Sequence, residues 1–237
     1  MIEQLKDEVL FHAKETIPNE CCGLAVVING KLKYHKCRNL SLGSQFIVDP
    51  LDYAKAEELG SIVGVCHSHV NENPNPSQAD LVGIEKTQLP WLIVQARTGE
   101  FTLTNPTGYK APLIGRTFTH GVLDCYQIIK DYYEQELSII LPDPIREEQW
   151  WYKGQDLYRD NFESAGFVKV GGSDFTALNK HDVILMQVRS QVPNHGGVYV
   201  GDGMLLQHCT GRLSSRDVYG GYWRKVTNLV LRHKELM

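Results

Sequence analysis

The stretch CHSHVNENPNPSQAD, residues 66–80, determines how the first half of the chain is expected to fold. It follows the apolar run SIVGV, which predicts a strand, and the alternation of side chains along a strand would place His67 and His69 on one face. Asp80 follows Ser77 by three residues, which is the spacing of a helix capping box. Two neutral imidazoles and a carboxylate suit a catalytic zinc ion, which keeps one position open for water.

Each of these features also has a purely structural explanation. A His-x-His pair can be the polar face of a strand, and Ser77 with Asp80 can simply begin a helix. Helix capping and metal binding by Asp80 are compatible, because a cap would hold Asp80 rigidly within the first helical turn, as a metal ligand requires. A different zinc site, combining Cys22 or Cys37 with the two histidines, is an alternative with less regular spacing.

Glu20, in the segment PNECCG, completes a longer pattern: Glu20, His67-x-His69, seven residues, Ser77, two residues, Asp80. All five positions match the JAMM motif, and this part of the chain resembles the JAB/MPN metalloprotease family. The resemblance implies a Zn²⁺ cofactor held by His67, His69 and Asp80. It also implies that Glu20 is the general base and acid and that Ser77 stabilises the oxyanion. A carboxylate in this position can take a proton from water and return it to a leaving amine.

The overall composition is that of a globular protein of one or two domains, with 237 residues, of which 42% are hydrophobic and 22% charged. The net charge of −4 gives no indication of a nucleic acid or an anionic membrane as partner. No apolar stretch approaches transmembrane length, so we expect no membrane insertion. The first eight residues lack the basic start and apolar core of a secretory signal, so we expect the protein to act first in a cytoplasm.

Two prolines and a glycine in the segment 105–112 indicate a linker between two domains. The elements predicted before it alternate between helix and strand, which agrees with the JAB/MPN fold. We therefore expect a JAB/MPN domain over 1–104, a linker over 105–115 and a second domain over 116–237. The predicted fold class is α+β / α/β, and its first domain is a cytidine-deaminase-like mixed sheet with helices.

A second group of candidate catalytic residues lies in the second half of the chain. Cys125 begins a predicted amphipathic helix, where the helix dipole favours thiolate, although free cysteines are more often simply buried. His195 and His208 flank a hairpin turn signal, GDG at residues 201–203. A two-residue turn beginning at Gly201 would place His195 opposite His208, whereas a three-residue loop would shift the pairing by one. Two unrelated histidines at strand ends are the alternative.

The order of Asp124-Cys125, then His195-x-Gly-x-Tyr-x-Gly-x-Gly, then His208, resembles the NlpC-type papain-like cysteine peptidases. The resemblance implies a helix-borne cysteine packed on a small antiparallel sheet. Cys125 would be the nucleophile, His195 the general base and His208 the polar residue that orients it. The family usually cleaves amide bonds in peptidoglycan stem peptides, notably after D-γ-glutamyl units. Tyr126 replaces the small residue that is common after the cysteine, and the segment 142–151, with its paired tryptophans, has no parallel in a minimal domain.

The two domains in this order and length resemble the tail assembly proteins of lambda-like siphophages. The resemblance implies a phage tail-tip assembly factor with a zinc-dependent (iso)peptidase site and a cysteine peptidase site directed at host peptidoglycan or a tail protein. Its expected partners are other tail-tip proteins and host peptidoglycan, and its expected locations are the host cytoplasm during assembly and the virion tail tip. One alternative is a structural tail-tip subunit that uses both folds for docking, with dormant active sites. Another is a bacterial cell-wall hydrolase.

Overall fold

The computed structural model describes residues 1–41, 45–170 and 178–237. The chain divides into two compact units, Met1–Lys110 and Ala111–Met237, and each has its own sheet. The predicted limits of the two domains and of the linker between them stay a prediction. Within the described ranges, no helix is both long enough and apolar enough to cross a membrane.

The first unit contains a mixed five-stranded sheet with helices on both faces. Its elements are α1 (Lys6–Thr16), β1 (Cys22–Ile28), β2 (Lys31–Cys37), α2 (Pro50–Leu59), β3 (Ser61–His69), α3 (Gln78–Thr87), β4 (Trp91–Gln95) and β5 (Phe101–Thr104). The strand order is β2-β1-β3-β4-β5, in which β3 and β4 are parallel and the other neighbours antiparallel. The predicted mixed sheet with helices is confirmed.

Strand β3 lies at the centre of this sheet and is covered on both faces, which explains its continuous apolar run. Residues of α1 pack with Cys66 on one face, whereas Ala56 of α2 and Ile84 of α3 pack with Val65 on the other. Alternation along the strand assigns His67 to the same face as Val65. The histidines therefore project towards the face on which α3 packs.

The second unit is a six-stranded antiparallel sheet against which one long helix packs. Its elements are α4 (Cys125–Leu137), α5 (Leu157–Asn161), β6 (Phe167–Lys169), β7 (Val183–Met186), β8 (His195–Gly201), β9 (Met204–Gln207), β10 (Ser215–Val218), α6 (Gly221–Val226) and β11 (Thr227–His233). The strand order is β10-β9-β8-β7-β11-β6. Ile128, Ile129 and Tyr133 of α4 pack against Val198 and Leu206 of the sheet. The predicted fold, with the cysteine at the start of a helix on an antiparallel sheet, is confirmed.

The hairpin of β8 and β9 turns one residue later than the two-residue turn beginning at Gly201, which was one of the two alternatives considered. Its two turn residues are Asp202 and Gly203, with φ angles of 52° and 70°, which are the positive values of the tight turns that favour Asp-Gly. The pairing also shifts at Val200, between Tyr199 and Gly201, which forms a β-bulge. Beyond the bulge, the combined effect is that each residue of β8 pairs one residue later in β9 than a regular hairpin with a two-residue turn at Gly201 would give.

This register separates the two histidines that we expected to be neighbours. Gly197 pairs with Gln207, so continuing the ladder places His195 opposite residue 209 and not opposite His208. Because side chains alternate between faces, Gln207 lies on the same face as His195 and His208 on the other. The predicted pairing of His195 with His208 is therefore wrong.

Candidate active sites

In the first unit, His67, His69 and Asp80 come together as a group of potential metal ligands. The Nε2 atoms of the two histidines lie 3.2 Å apart. The carboxylate oxygens of Asp80 lie 3.4 Å from Nε2 of His67 and 3.3 Å from Nε2 of His69. Ligand atoms about 2.0–2.1 Å from a tetrahedral zinc ion are separated from one another by about 3.3 Å. The three donor atoms thus have the spacing that a zinc ion requires.

Hydrogen bonds hold two of these three ligands in place. Nδ1 of His69 donates to the backbone carbonyl of Asn73 at 2.7 Å, which leaves Nε2 to bind a metal. The predicted capping box is present at the start of α3. The backbone N–H of Ser77 donates to Oδ2 of Asp80 at 2.7 Å, and the N–H of Asp80 donates to Oγ of Ser77 at 3.1 Å. Asp80 is thereby fixed in the first helical turn.

Aromatic contacts hold the third ligand, His67. Its Nδ1 is buried and has no hydrogen-bond partner among the described residues. Phe46 stacks on the imidazole with ring centroids 4.5 Å apart, and Trp91 meets it edge-on at 5.5 Å. Burial lowers the pKa of His67 to about 4, against the opposing charge of Asp80. The ring is therefore neutral near neutral pH, which is the form that binds a metal.

Glu20 lies just before β1, is buried, and interacts electrostatically with the ligand group. Burial raises its pKa to about 7, a change that His69 opposes and that Asp80 and Glu72 reinforce. Burial also favours the neutral form of Asp80, but the two histidines and Ser77 outweigh it and lower the pKa of Asp80 to about 2. The site thus combines a charged ligand carboxylate with a second carboxyl group that can exchange a proton near neutral pH, as a general base and acid must.

The alternative zinc site with cysteine ligands finds no support. The metal-ligand group found among the described residues includes neither Cys22 nor Cys37. The Cys22 thiol instead lies 3.7 Å from the backbone carbonyl of Cys37. Burial raises the pKa of both thiols to about 12, and a metal binds the thiolate form.

In the second unit, Cys125 is the first residue of α4 and lines a cleft of about 710 Å³. Asp124 caps the helix by accepting hydrogen bonds from the N–H groups of Tyr126 at 3.0 Å and Gln127 at 2.9 Å. Cys125 is only partly buried, and its Sγ lies 3.4 Å from the hydroxyl of Tyr158. A thiol at a helix N-terminus that opens onto a cleft is well placed to act as a nucleophile.

His195 lines the same cleft and belongs to a chain of three polar side chains. Its Nε2 lies 2.8 Å from Oε1 of Gln207, and Nε2 of Gln207 donates to Oδ2 of Asp217 at 2.7 Å. Because an ionised carboxylate only accepts hydrogen bonds, Gln207 must turn its NH₂ group to Asp217 and its carbonyl to the histidine. In the neutral imidazole, Nε2 therefore carries the proton and Nδ1 keeps the lone pair that a general base needs.

His208 makes no hydrogen bond to His195. It is fully buried, its ring meets Phe118 edge-on at 5.1 Å, and neither ring nitrogen has a hydrogen bond of ordinary geometry within the described part of the chain. The polar neighbour of His195 is Gln207, which the sequence analysis missed. The sequence did contain an indication of Gln207, because shifting the hairpin register by one residue places Gln207 instead of His208 on the face of His195.

Two family models match the chain. The model of prokaryotic homologs of the JAB domain matches residues 3–106, and that of the NlpC/P60 family matches residues 115–232. The fold and the two sites thus define a protein with a JAB domain followed by an NlpC/P60 domain, both of which are folds of peptidase-type hydrolases.

Two relatives with the same name are similar over most of the chain. The tail tip assembly protein K of Escherichia phage N15 is 34% identical over 239 residues, which cover 100% of this chain and 97% of that protein. Its namesake in Escherichia phage lambda is 38% identical over 187 residues, which cover 79% of this chain and 89% of that protein. The chain belongs to the family of tail tip assembly protein K.

Solved structures are more distantly similar. A JAB1/MPN domain protein from Archaeoglobus fulgidus is 19% identical, with a TM-score of 0.32 over 46% of this chain and 90% of its own. An NlpC/P60 family protein from Bacillus cereus ATCC 10987 is 13% identical, with a TM-score of 0.37 over 96% of this chain and 66% of its own. The family assignment rests on the sequence relatives and not on these structures.

Proposed function

We propose that this protein is a tail tip assembly protein with two hydrolase sites, a zinc-dependent (iso)peptidase site in its first unit and a thiol peptidase site in its second. The observation that carries the proposal is the zinc-compatible spacing of the donor atoms of His67, His69 and Asp80, at 3.2–3.4 Å. The names of the phage relatives support the role in assembly. The partners are then other tail-tip proteins, and the place of action is the host cytoplasm during assembly or the virion tail tip.

In the first site, His67, His69 and Asp80 would hold the zinc ion. A bound zinc ion supplies a Lewis acid that polarises a carbonyl and lowers the pKa of water. Glu20 takes a proton from the attacking water and returns it to the leaving amine, which its pKa of about 7 permits. The Oγ of Ser77 already accepts a hydrogen bond from the backbone N–H of Asp80. The hydroxyl proton of Ser77 remains to be donated to the developing oxyanion.

In the second site, the thiol proton of Cys125 passes to Nδ1 of His195 while the sulfur forms a bond to the substrate carbonyl carbon. Gln207 and Asp217 keep the imidazole in the tautomer that can accept this proton. The protonated histidine then gives its proton to the leaving amine, and water hydrolyses the resulting thioester. The substrate class is an amide bond in host peptidoglycan stem peptides, such as one that follows a D-γ-glutamyl unit, or a bond in a tail protein.

Replacing Gln207 by alanine is expected to slow thiol-dependent hydrolysis by roughly 100-fold, because the base loses the group that sets its tautomer and orientation. The measurement is turnover of a synthetic peptide with a D-γ-glutamyl amide bond. Gln127 offers a matched control, since it also donates to a carboxylate, that of Asp131, at 2.7 Å but does not line the cleft that contains His195. Equal rates for the Gln207→Ala and Gln127→Ala variants would remove Gln207 from the site.

A complementation experiment tests the proposed function as a whole. A phage that lacks its own copy of this gene is supplied with the wild-type chain or with the double variant Glu20→Gln/Cys125→Ala, in which the first substitution preserves the size of the side chain and the second removes only the sulfur. We expect the wild type, but not the folded double variant, to restore infectious particles. Particles produced equally well by both would instead support a structural subunit that uses the two folds for docking.

A further inference from the structure

The segment between α4 and β6 contains no residue of either motif, yet it contributes a polar group to the thiol site. Tyr158, on the short helix α5, directs its hydroxyl at Cys125, with 3.4 Å between Oη and Sγ. This distance is normal for a hydrogen bond that involves sulfur, and the sulfur is the reacting atom of the proposed mechanism.

The packing around Tyr158 holds its hydroxyl in this position. Its ring meets Trp150 edge-on at 5.9 Å and lies 6.4 Å from the ring of Tyr126. On the sheet side, a Cβ atom at Gly196 would lie 3.3 Å from Oη of Tyr158 and 2.9 Å from Cδ1 of Ile129. The absence of a side chain at Gly196 therefore allows the helix and the hydroxyl to approach the strand closely.

The chemistry of the two groups makes Tyr158 the donor once the thiol is ionised. Burial raises the pKa of Tyr158 well above its usual value, so the phenol keeps its proton. Burial and the charge of Asp124 raise the pKa of Cys125 to about 11, whereas the hydrogen bonds from Tyr158 and from the backbone of Gly196 act in the opposite direction. Hydrogen bonds to a charged acceptor are about twice as strong as those between neutral groups, so donation by Tyr158 favours the thiolate.

We propose that Tyr158 is a further catalytic residue, whose hydroxyl donates a hydrogen bond to the sulfur of Cys125 and stabilises the thiolate before it attacks. The inference rests on the proposed role of Cys125 as nucleophile. Tyr158 keeps its proton throughout: the thiol proton goes to His195, and a lone pair of the sulfur forms the bond to the substrate carbonyl carbon. In this role the segment between α4 and β6 completes the thiol site with a group that neither motif supplies.

The test is the rate at which iodoacetamide alkylates Cys125 in the full chain, followed by mass spectrometry of the peptide that contains it, from neutral to alkaline pH. Tyr158→Phe removes only the hydroxyl. We expect the midpoint of the pH profile to rise by about one unit, since one charge-assisted hydrogen bond is lost. Below the midpoint the rate should fall only about threefold, because a more basic thiolate is also more nucleophilic.

Tyr132→Phe is the matched control, because Tyr132 lies on the same helix as Cys125 but its hydroxyl contacts Nδ1 of His181 at 2.8 Å. It should leave the alkylation profile of Cys125 unchanged. An unchanged or faster reaction in Tyr158→Phe, at an unchanged Tm, would overturn the inference while Cys125 remained the nucleophile. Full hydrolysis of the D-γ-glutamyl peptide by a folded Cys125→Ala protein would overturn the proposed function of this site and the inference with it.

Discussion

Replacing His67 by alanine is expected to reduce the zinc content of the purified protein from about one ion per chain to near zero, since a structural or catalytic zinc site needs at least three protein ligands. Removal of one donor leaves a single imidazole and the carboxylate of Asp80, and we expect the affinity to fall by at least about 100-fold, more than for loss of a supporting hydrogen bond. Elemental analysis of protein purified without chelators measures the stoichiometry directly.

Two further variants separate loss of a ligand from general damage. Glu20→Gln should retain the zinc ion while losing first-site turnover, because Glu20 is a proton carrier and not a ligand in the proposed mechanism. His12→Ala should also retain zinc, since His12 lies on α1 and its Nδ1 is 2.9 Å from the hydroxyl of Tyr34, outside the ligand group. Full zinc stoichiometry in a folded His67→Ala protein would refute the ligand assignment.

Replacing Cys125 by alanine is expected to lower hydrolysis of the D-γ-glutamyl peptide by roughly 10⁴-fold or more, to the background rate, because no other group forms the covalent intermediate. The helix should still form, since Asp124 caps it through the N–H groups of Tyr126 and Gln127 and not through the thiol. An unchanged circular dichroism spectrum and Tm would show that the lost rate reflects chemistry.

Cys209 provides the discriminating control for this experiment. It is also partly buried, lines the same cleft, and its Sγ lies 3.6 Å from Nε2 of His195. That nitrogen is the one held by Gln207, so the Cys209 thiol faces the protonated side of the base and is not expected to be activated. Cys209→Ala should therefore retain most of the rate. Loss of activity in Cys209→Ala, together with full activity in Cys125→Ala, would show that Cys209 and not Cys125 is the nucleophile.

The grouping of His67, His69 and Asp80 was predictable from sequence because its geometry is local. His67 and His69 share a face through the period of a single strand, and the capping box fixes Asp80 through contacts over three residues. The pairing of His195 was not predictable in the same way. It depends on the position of the turn and on a bulge at Val200, and a one-residue difference moves a side chain to the other face.

The position of Tyr158 beside Cys125 also could not be predicted from the local sequence. The segment that carries it has neither strand nor helix periodicity over a useful length, and α5 spans only Leu157–Asn161. Its position follows from packing against Trp150 and from the space above Gly196. The approach to Gly196 joins residues far apart in the chain, so it becomes visible only in three dimensions.

In the proposed zinc site, the capping box at the start of α3 would link helix stability to metal retention. Oδ2 of Asp80 accepts the N–H of Ser77 and also belongs to the ligand group, so fraying of this one turn would withdraw a ligand. By linkage, zinc at about 100 times its Kd would stabilise the folded turn by about 2.7 kcal/mol. In the proposed function, a binding partner that destabilised this turn would lower the affinity for zinc, and one that stabilised it would raise that affinity, without either contacting a catalytic group.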